Sequence, residues 1–171
     1  MTTIGITREI AQRVRDTVAV GLSSGLGDAT PGMMCVEAAV SFALGLPHGD
    51  NPGCVSVPVR RLATRLNDAR WSSNTARAAG LLRLAVAQLG SAGVLDDNIF
   101  VRRVVDMTIR DVVPGALRVA ARRLQQNYPT HAKALNTAAI RCAREGSREA
   151  CKEGERVARD DAGESFLPNH I

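Results

Sequence analysis

The sequence predicts an all-α fold, a compact multi-helix domain with one buried helix at its centre. Aromatic residues make up only 3% of a chain that is 45% hydrophobic. The core must then come from Ala, Val, Leu and Ile, which suits closely packed helices better than a sandwich. Apolar residues also recur at three- and four-residue spacing along most of the chain. Finally, the breaks between these segments carry the glycines, prolines and capping residues that start and stop helices.

The first helix is expected within TREIAQRVRDTVAVG, residues 7–21, with Thr7 as N-cap and Ile10, Val14 and Val18 on one face. GLSSGLGDATPG, residues 21–32, reads as a loop. MMCVEAAVSFAL, residues 33–44, is nearly all apolar and should be the central helix. Glu37 is its only charge, and a buried carboxylate needs a partner, here expected to be an arginine. GLPHGDNPGC, residues 45–54, reads as a rigid elbow. Pro47 and Pro52 fix its dihedrals, and Asp50 is expected to satisfy loop N–H groups.

SVPVRRLATRLNDARW, residues 56–71, should be a helix with Ser56 as cap and Pro58 in its first turn. Val59, Leu62, Ala63 and Leu66 form the inner stripe. Arg60, Thr64, Asn67 and Trp71 form a second, polar one. The next helix, capped by Ser72 or Ser73 and stopped by Gly90, turns Ala79, Leu82, Val86 and Leu89 inward. A Val/Ile-rich segment follows, capped by Asp96 or Asp97, with Val101, Val104, Val105, Thr108, Ile109 and Val112 as its stripe; a strand is the alternative. Pro114 breaks that pattern and a helix resumes to Asn127. Another runs from a Thr130 cap to Gly146. The remainder is charged, a solvated helix to about residue 160 followed by a frayed tail. The expected division is a helical core domain over 1–145 and a charged C-terminal helix and tail over 146–171.

No apolar run approaches the ~18 residues that cross a bilayer, and MTTIGITREIAQ lacks a basic-then-apolar leader. The expectation is a cytoplasmic protein without a membrane partner. Its four cysteines, Cys35, Cys54, Cys142 and Cys151, are expected to be reduced. The net charge of +5 suits an anionic partner.

The clustered side chains offer several candidate chemistries. Cys35, His48, Asp50 and Cys54 are zinc-type ligands, but no paired C-x-x-C or H-x-x-x-H spacing joins them, so no metal or other cofactor is expected. Cys35 near a helix start could be activated, yet His131 and His170 are poorly placed to serve it, so no catalytic residue is assigned. No phosphate loop with a lysine is present. Among the arginine pairs, Arg60–Arg61, Arg102–Arg103 and Arg122–Arg123, each should offer at most one side chain to a given site. The sharper expectation groups Arg60, Arg61, Arg65, Asn67, Trp71 and Arg77 around a pocket. The arginines would hold phosphates and Trp71 would stack on a base. Glu37, Asp50 and Asp68 are assigned structural roles. Residues 56–71 and 73–89 could also form a helix-turn-helix, though the second helix has few side chains that read bases.

Met34, Cys35, Glu37 and Ala38, then Gly45, Pro47, Asp50, Pro52, Cys54 and Val55, then Asn67 and Asp68, form an MCxEA … GxPxxDxPxCV … ND pattern. In this pattern the chain resembles a group of uncharacterised small bacterial and phage proteins, over roughly residues 33–100. The resemblance implies no catalytic residue. It implies an accessory role in phages or mobile elements, such as sequestering a nucleotide signal. The functional expectation is a non-enzymatic, homo-oligomeric protein that holds a phosphorylated small molecule, such as a nucleotide, in arginine-rich pockets. The alternatives are a self-assembling structural protein and a nucleic-acid-binding helical protein.

Overall fold

The computed structural model describes the backbone of residues 5–164 and the side chains of residues 5–159. The fold is all-α. The chain divides into two units, Met1–Phe100 and Val101–Ile171.

The first unit is built on α1 (Arg8–Ala19), α2 (Val36–Ala43), α3 (Val57–Asp68) and α4 (Asn74–Ala87). Thr7 starts α1, its hydroxyl accepting from Ile10 N at 3.3 Å, and Val14 and Val18 bury the inner face. α2 is the central element and packs on α1, α3 and α4. Seven of its eight residues are buried, and Phe42 alone turns outward. Cys35 caps this helix through sulfur, with Ala38 N donating to Sγ at 3.3 Å. Alanines at 38, 39, 43, 63, 78 and 85 let the helices approach closely around Val36, Val40 and Leu81.

α4 sits differently from its expected register. Arg77, Ala78, Leu81 and Ala85 are the buried face, while Ala79 is exposed and Leu82, Val86 and Leu89 pack at the margin. Two polar residues, Arg77 and Gln88, lie on the inward side, so the most apolar stripe is not the buried one. Leu66 of α3 is likewise exposed rather than inward.

One polar network joins these elements. Asn67, fully buried, accepts from Val36 N through Oδ1 at 3.1 Å and donates through Nδ2 to Ser23 O at 2.9 Å. Arg77 Nε donates to Asn67 O at 2.8 Å, and Arg77 Nη1 donates to Leu22 O at 3.0 Å and Asn74 Oδ1 at 2.6 Å. Asp68 accepts from Gly25 N at 2.8 Å. The 21–35 loop is thereby tied to α2, α3 and α4. Its tight return brings Gly27 against Met34 in an isolated antiparallel bridge. Gly27 has φ +69°, and a side chain there would strike Met33 O.

α5 (Asp97–Met107) begins at Asp96, whose carboxylate accepts from Asn98 N and Ile99 N. In the second unit a π-helical turn, Thr108–Val112, leads directly into α6 (Val113–Leu124). The expected break at Pro114 is absent. Val113 N reaches back to Thr108 O, and this wider turn absorbs the missing N–H and the ring that would obstruct an α-helical carbonyl. The turn also carries Arg110, which pairs with Asp106 at 2.8 Å and donates to the carbonyls of Ala143, Arg144 and Glu145. Those carbonyls end α7 (Pro129–Glu145), which Gly146 terminates at φ +62°. α8 (Arg148–Glu164) packs on α6 and α7 around Leu117, Leu135, Ala139, Cys142 and Ala150. It runs past the expected stop near residue 160; the expected tail lies outside the described residues.

The Asn67 network yields a first prediction. Asn67→Ala leaves the Val36 N–H and the Ser23 carbonyl without their partner inside the protein. The expected loss of stability is about 2–4 kcal/mol, read as a lower urea midpoint at unchanged slope. Arg61→Ala, at an exposed position, should leave the midpoint within about 0.5 kcal/mol.

Candidate functional site

The outer face of α3 and the loop before it enclose a cavity of about 540 Å³, lined by Asp50, Asn51, Arg60, Arg61, Thr64 and Arg65. Arg60 and Thr64 are one turn apart, as are Arg61 and Arg65, so two adjacent rows of the helix meet the same space. Arg60 and Arg61 therefore both contribute, against the expectation that a neighbouring pair offers only one. The arginine side chains are long enough to converge across the roughly 100° between adjacent helix positions. No described residue hydrogen-bonds or ion-pairs with Arg60, Arg61 or Arg65. Asp50 was expected to hold loop amides. It makes no hydrogen bond to a described residue and instead lines the cavity. Three arginines thus line the cavity with one acidic residue, Asp50, and with Asn51 and Thr64 as neutral polar residues. Asn51 was not singled out from sequence; its only signal was its place in the polar elbow.

The other three residues grouped with these arginines sit elsewhere. Asn67 and Arg77 are buried in the network that joins α2, α3 and α4, with Asn67 wholly inaccessible. Trp71 donates from Nε1 to Leu66 O at 2.8 Å, and its ring lies over Gly80, where any side chain would collide with it. The cause is local. α3 ends at Asp68, and Ala69 is extended with ψ 161°, so the helical spacing from Arg60 to Trp71 does not persist. Asp68 ties Gly25 and the Asn67 amide together.

The remaining chemistry-bearing side chains of the elbow are spoken for. His48 Nε2 lies 3.0 Å from Gly27 O, which makes Nε2 the protonated nitrogen because a carbonyl only accepts. The contact pins the elbow to the 21–32 loop. Cys54 packs with Val55 and Val59, and burial pushes the Cys35 thiol up, the direction opposite to activation. Among the described residues no group of three or more His, Cys, Asp or Glu side chains could hold a metal ion.

Glu37, completely buried, feels the charges of two residues that line the cavity, Arg60 and Asp50. Among the described residues the arginine ion pair expected for it does not form, and neither carboxylate oxygen completes a hydrogen bond of good geometry. Burial is the main cause that raises its pKa from 4.5 to about 7. The Gln88 amide and the charge of Arg60 pull it back down, in that order, and Asp50 adds to the rise. Gln88 is itself buried; its amide lies close enough to the carboxylate to favour the ionised form, yet neither side chain completes a hydrogen bond of good geometry among the described residues.

Compared with protein-family models, with curated proteins and with solved structures, the chain matches none.

Glu37 gives a signed pH dependence. Its unfolded carboxyl titrates near 4.5 and its folded one near 7. Between those values the folded state keeps a proton that the unfolded state has released. Stability therefore falls as pH rises through this window and levels off above it, by an amount on the order of 3 kcal/mol. The thermal midpoint is expected to fall between ~pH 5 and ~pH 8, and Glu37→Gln should flatten that part of the curve. An unchanged slope in the variant would contradict the assignment.

Proposed function

We propose that this protein binds a phosphorylated small molecule, such as a nucleotide, without turning it over. The observation that carries this reading is the cavity over α3, lined by Arg60, Arg61 and Arg65, none of which hydrogen-bonds or ion-pairs with a described residue. Guanidinium groups donate in planar forks that match phosphate oxygens. Three of them left without ion pairs on one wall form an electrostatic surplus that a phosphate would neutralise. The cavity volume falls within the usual range for small-molecule sites, roughly 300–1,000 Å³. Its lining offers cations, an amide, a hydroxyl and one carboxylate, with no nucleophile set against a base. Because no aromatic residue lines it, recognition would run through the phosphate rather than through base stacking. A sequestering role in phages or mobile elements would follow from the resemblance in the MCxEA … ND pattern.

A second reading, self-assembly, is favoured by α5. That helix buries none of its residues, while Ile99, Val101, Val105 and Met107 are all exposed. Such a Val/Ile-rich surface suits a second copy of the chain.

Titration calorimetry with inorganic phosphate, AMP and ATP tests the first reading. Binding is expected to weaken as salt is raised, and Arg61→Ala or Arg65→Ala should each lower affinity about tenfold. No heat with any phosphorylated probe would overturn it. Light scattering tests the second: the wild type should be oligomeric and Val105→Asp should shift it toward monomer. A monomeric wild type would dismiss self-assembly.

A further inference from the structure

A second cavity, of about 430 Å³, shares Asn51 and Arg60 with the first. It opens over the N-terminus of α3, with Gly53, Ser56 and Val57 on one side and Leu95 and Asp97 on the other. Ser56 occupies the N-cap position of this twelve-residue helix, yet its hydroxyl makes no capping bond. The residue is only 6% exposed, and Oγ has no hydrogen-bond partner among the described residues. The Ser56 N–H is already committed to Ser91 Oγ at 2.9 Å. No side chain caps the first N–H groups of α3, and Pro58 removes one of them outright. A helix start concentrates positive partial charge. Here a buried, unpartnered hydroxyl accompanies it, and Arg60 adds a full charge one turn along.

We propose that this is a second anion subsite, continuous with the arginine cavity, and that the ligand carries two phosphates on separate hydroxyls. One phosphate would sit against Arg61 and Arg65. The other would take the Ser56 hydroxyl and the α3 N–H groups, with Arg60 between the two. Asp50 lines the first cavity and Asp97 the second. Two carboxylates disfavour a ligand that is anionic throughout and suit hydroxyl donors on the part that links the phosphates. The class is a bisphosphorylated, hydroxyl-bearing molecule, such as a nucleoside or sugar bisphosphate. The inference rests on the first cavity being a phosphate site.

The test compares matched probes on the intact protein by calorimetry. AMP is set against adenosine phosphorylated on both the 3′ and 5′ hydroxyls, and fructose monophosphate against fructose bisphosphate. At least one bisphosphate is expected to bind tenfold or more tightly than its monophosphate. Leu95→Glu, which sets a negative charge at a surface position beside the second subsite, should erase that gain and leave monophosphate binding unchanged. Ser56→Ala should reduce the gain severalfold with no change in thermal midpoint, because the hydroxyl caps nothing in the free protein. Equal affinities within both pairs, with measurable monophosphate binding, would overturn the second subsite and leave the first intact. Absence of binding by every probe would overturn both.

Discussion

The first unit depends on how two polar residues, Asn67 and Arg77, are kept inside it. An Asn side chain buried without partners is costly, and a buried guanidinium more so. Here the Asn67 amide and carbonyl, and the Arg77 guanidinium, are used on backbone groups that would otherwise lack partners of their own: the first N–H of α2, and the carbonyls of Ser23, Leu22 and Asn67. The cost of each group is offset by satisfying another. The same bonds fix where α3 ends and how the 21–35 loop returns. They therefore orient the outer face of α3, and with it Arg60, Arg61 and Arg65.

Residues between 34 and 68 divide between scaffold and cavity. Cys35 caps α2, Asn67 holds the start of α2, Asp68 holds Gly25, and Pro52 and Cys54 are buried beneath the elbow. None of these atoms is left over for chemistry. Asn51, Arg60, Arg61, Thr64 and Arg65, together with Asp50, line a cavity instead. The Asn67 network uses its polar groups on the scaffold itself, while no described residue hydrogen-bonds or ion-pairs with the three arginines of the cavity.

Much of the fold was legible because helix ends are local. Thr7, Ser73 and Asp96 cap, and Gly146 stops a helix at positive φ, as the residue types require. The buried centre was legible too, since α2 has hardly a polar residue to place outside. What escaped notice was non-local. The inward face of α4 follows Arg77 and Gln88, whose burial makes sense only with partners from other elements in view. Pro114 reads as a breaker unless a π turn accommodates it, and that turn is coupled to Arg110 and the end of α7. The arginine half of the candidate site was visible as composition. The assignment of Trp71 to it assumed that a helical row continues past Asp68, where the helix in fact ends; Asn67 lies within α3 and is held inside by its bonds to Val36 and Ser23.

Arg60 connects the interior to the cavity wall. Its charge is one of the two influences that ease the ionisation of buried Glu37, while Asp50, across the same cavity, opposes it. The carboxylate and any anion held in the cavity thus draw on one cation. Near neutral pH, where Glu37 titrates, an anion beside Arg60 screens the field that favours the ionised carboxylate and so favours its protonated form. Protonation in turn removes a negative charge that draws on Arg60 and strengthens the cavity's hold on an anion. Each event promotes the other because linkage is reciprocal. No described arginine forms an ion pair with Glu37, which keeps this coupling open: a carboxylate locked to an arginine would stay charged whatever occupied the cavity.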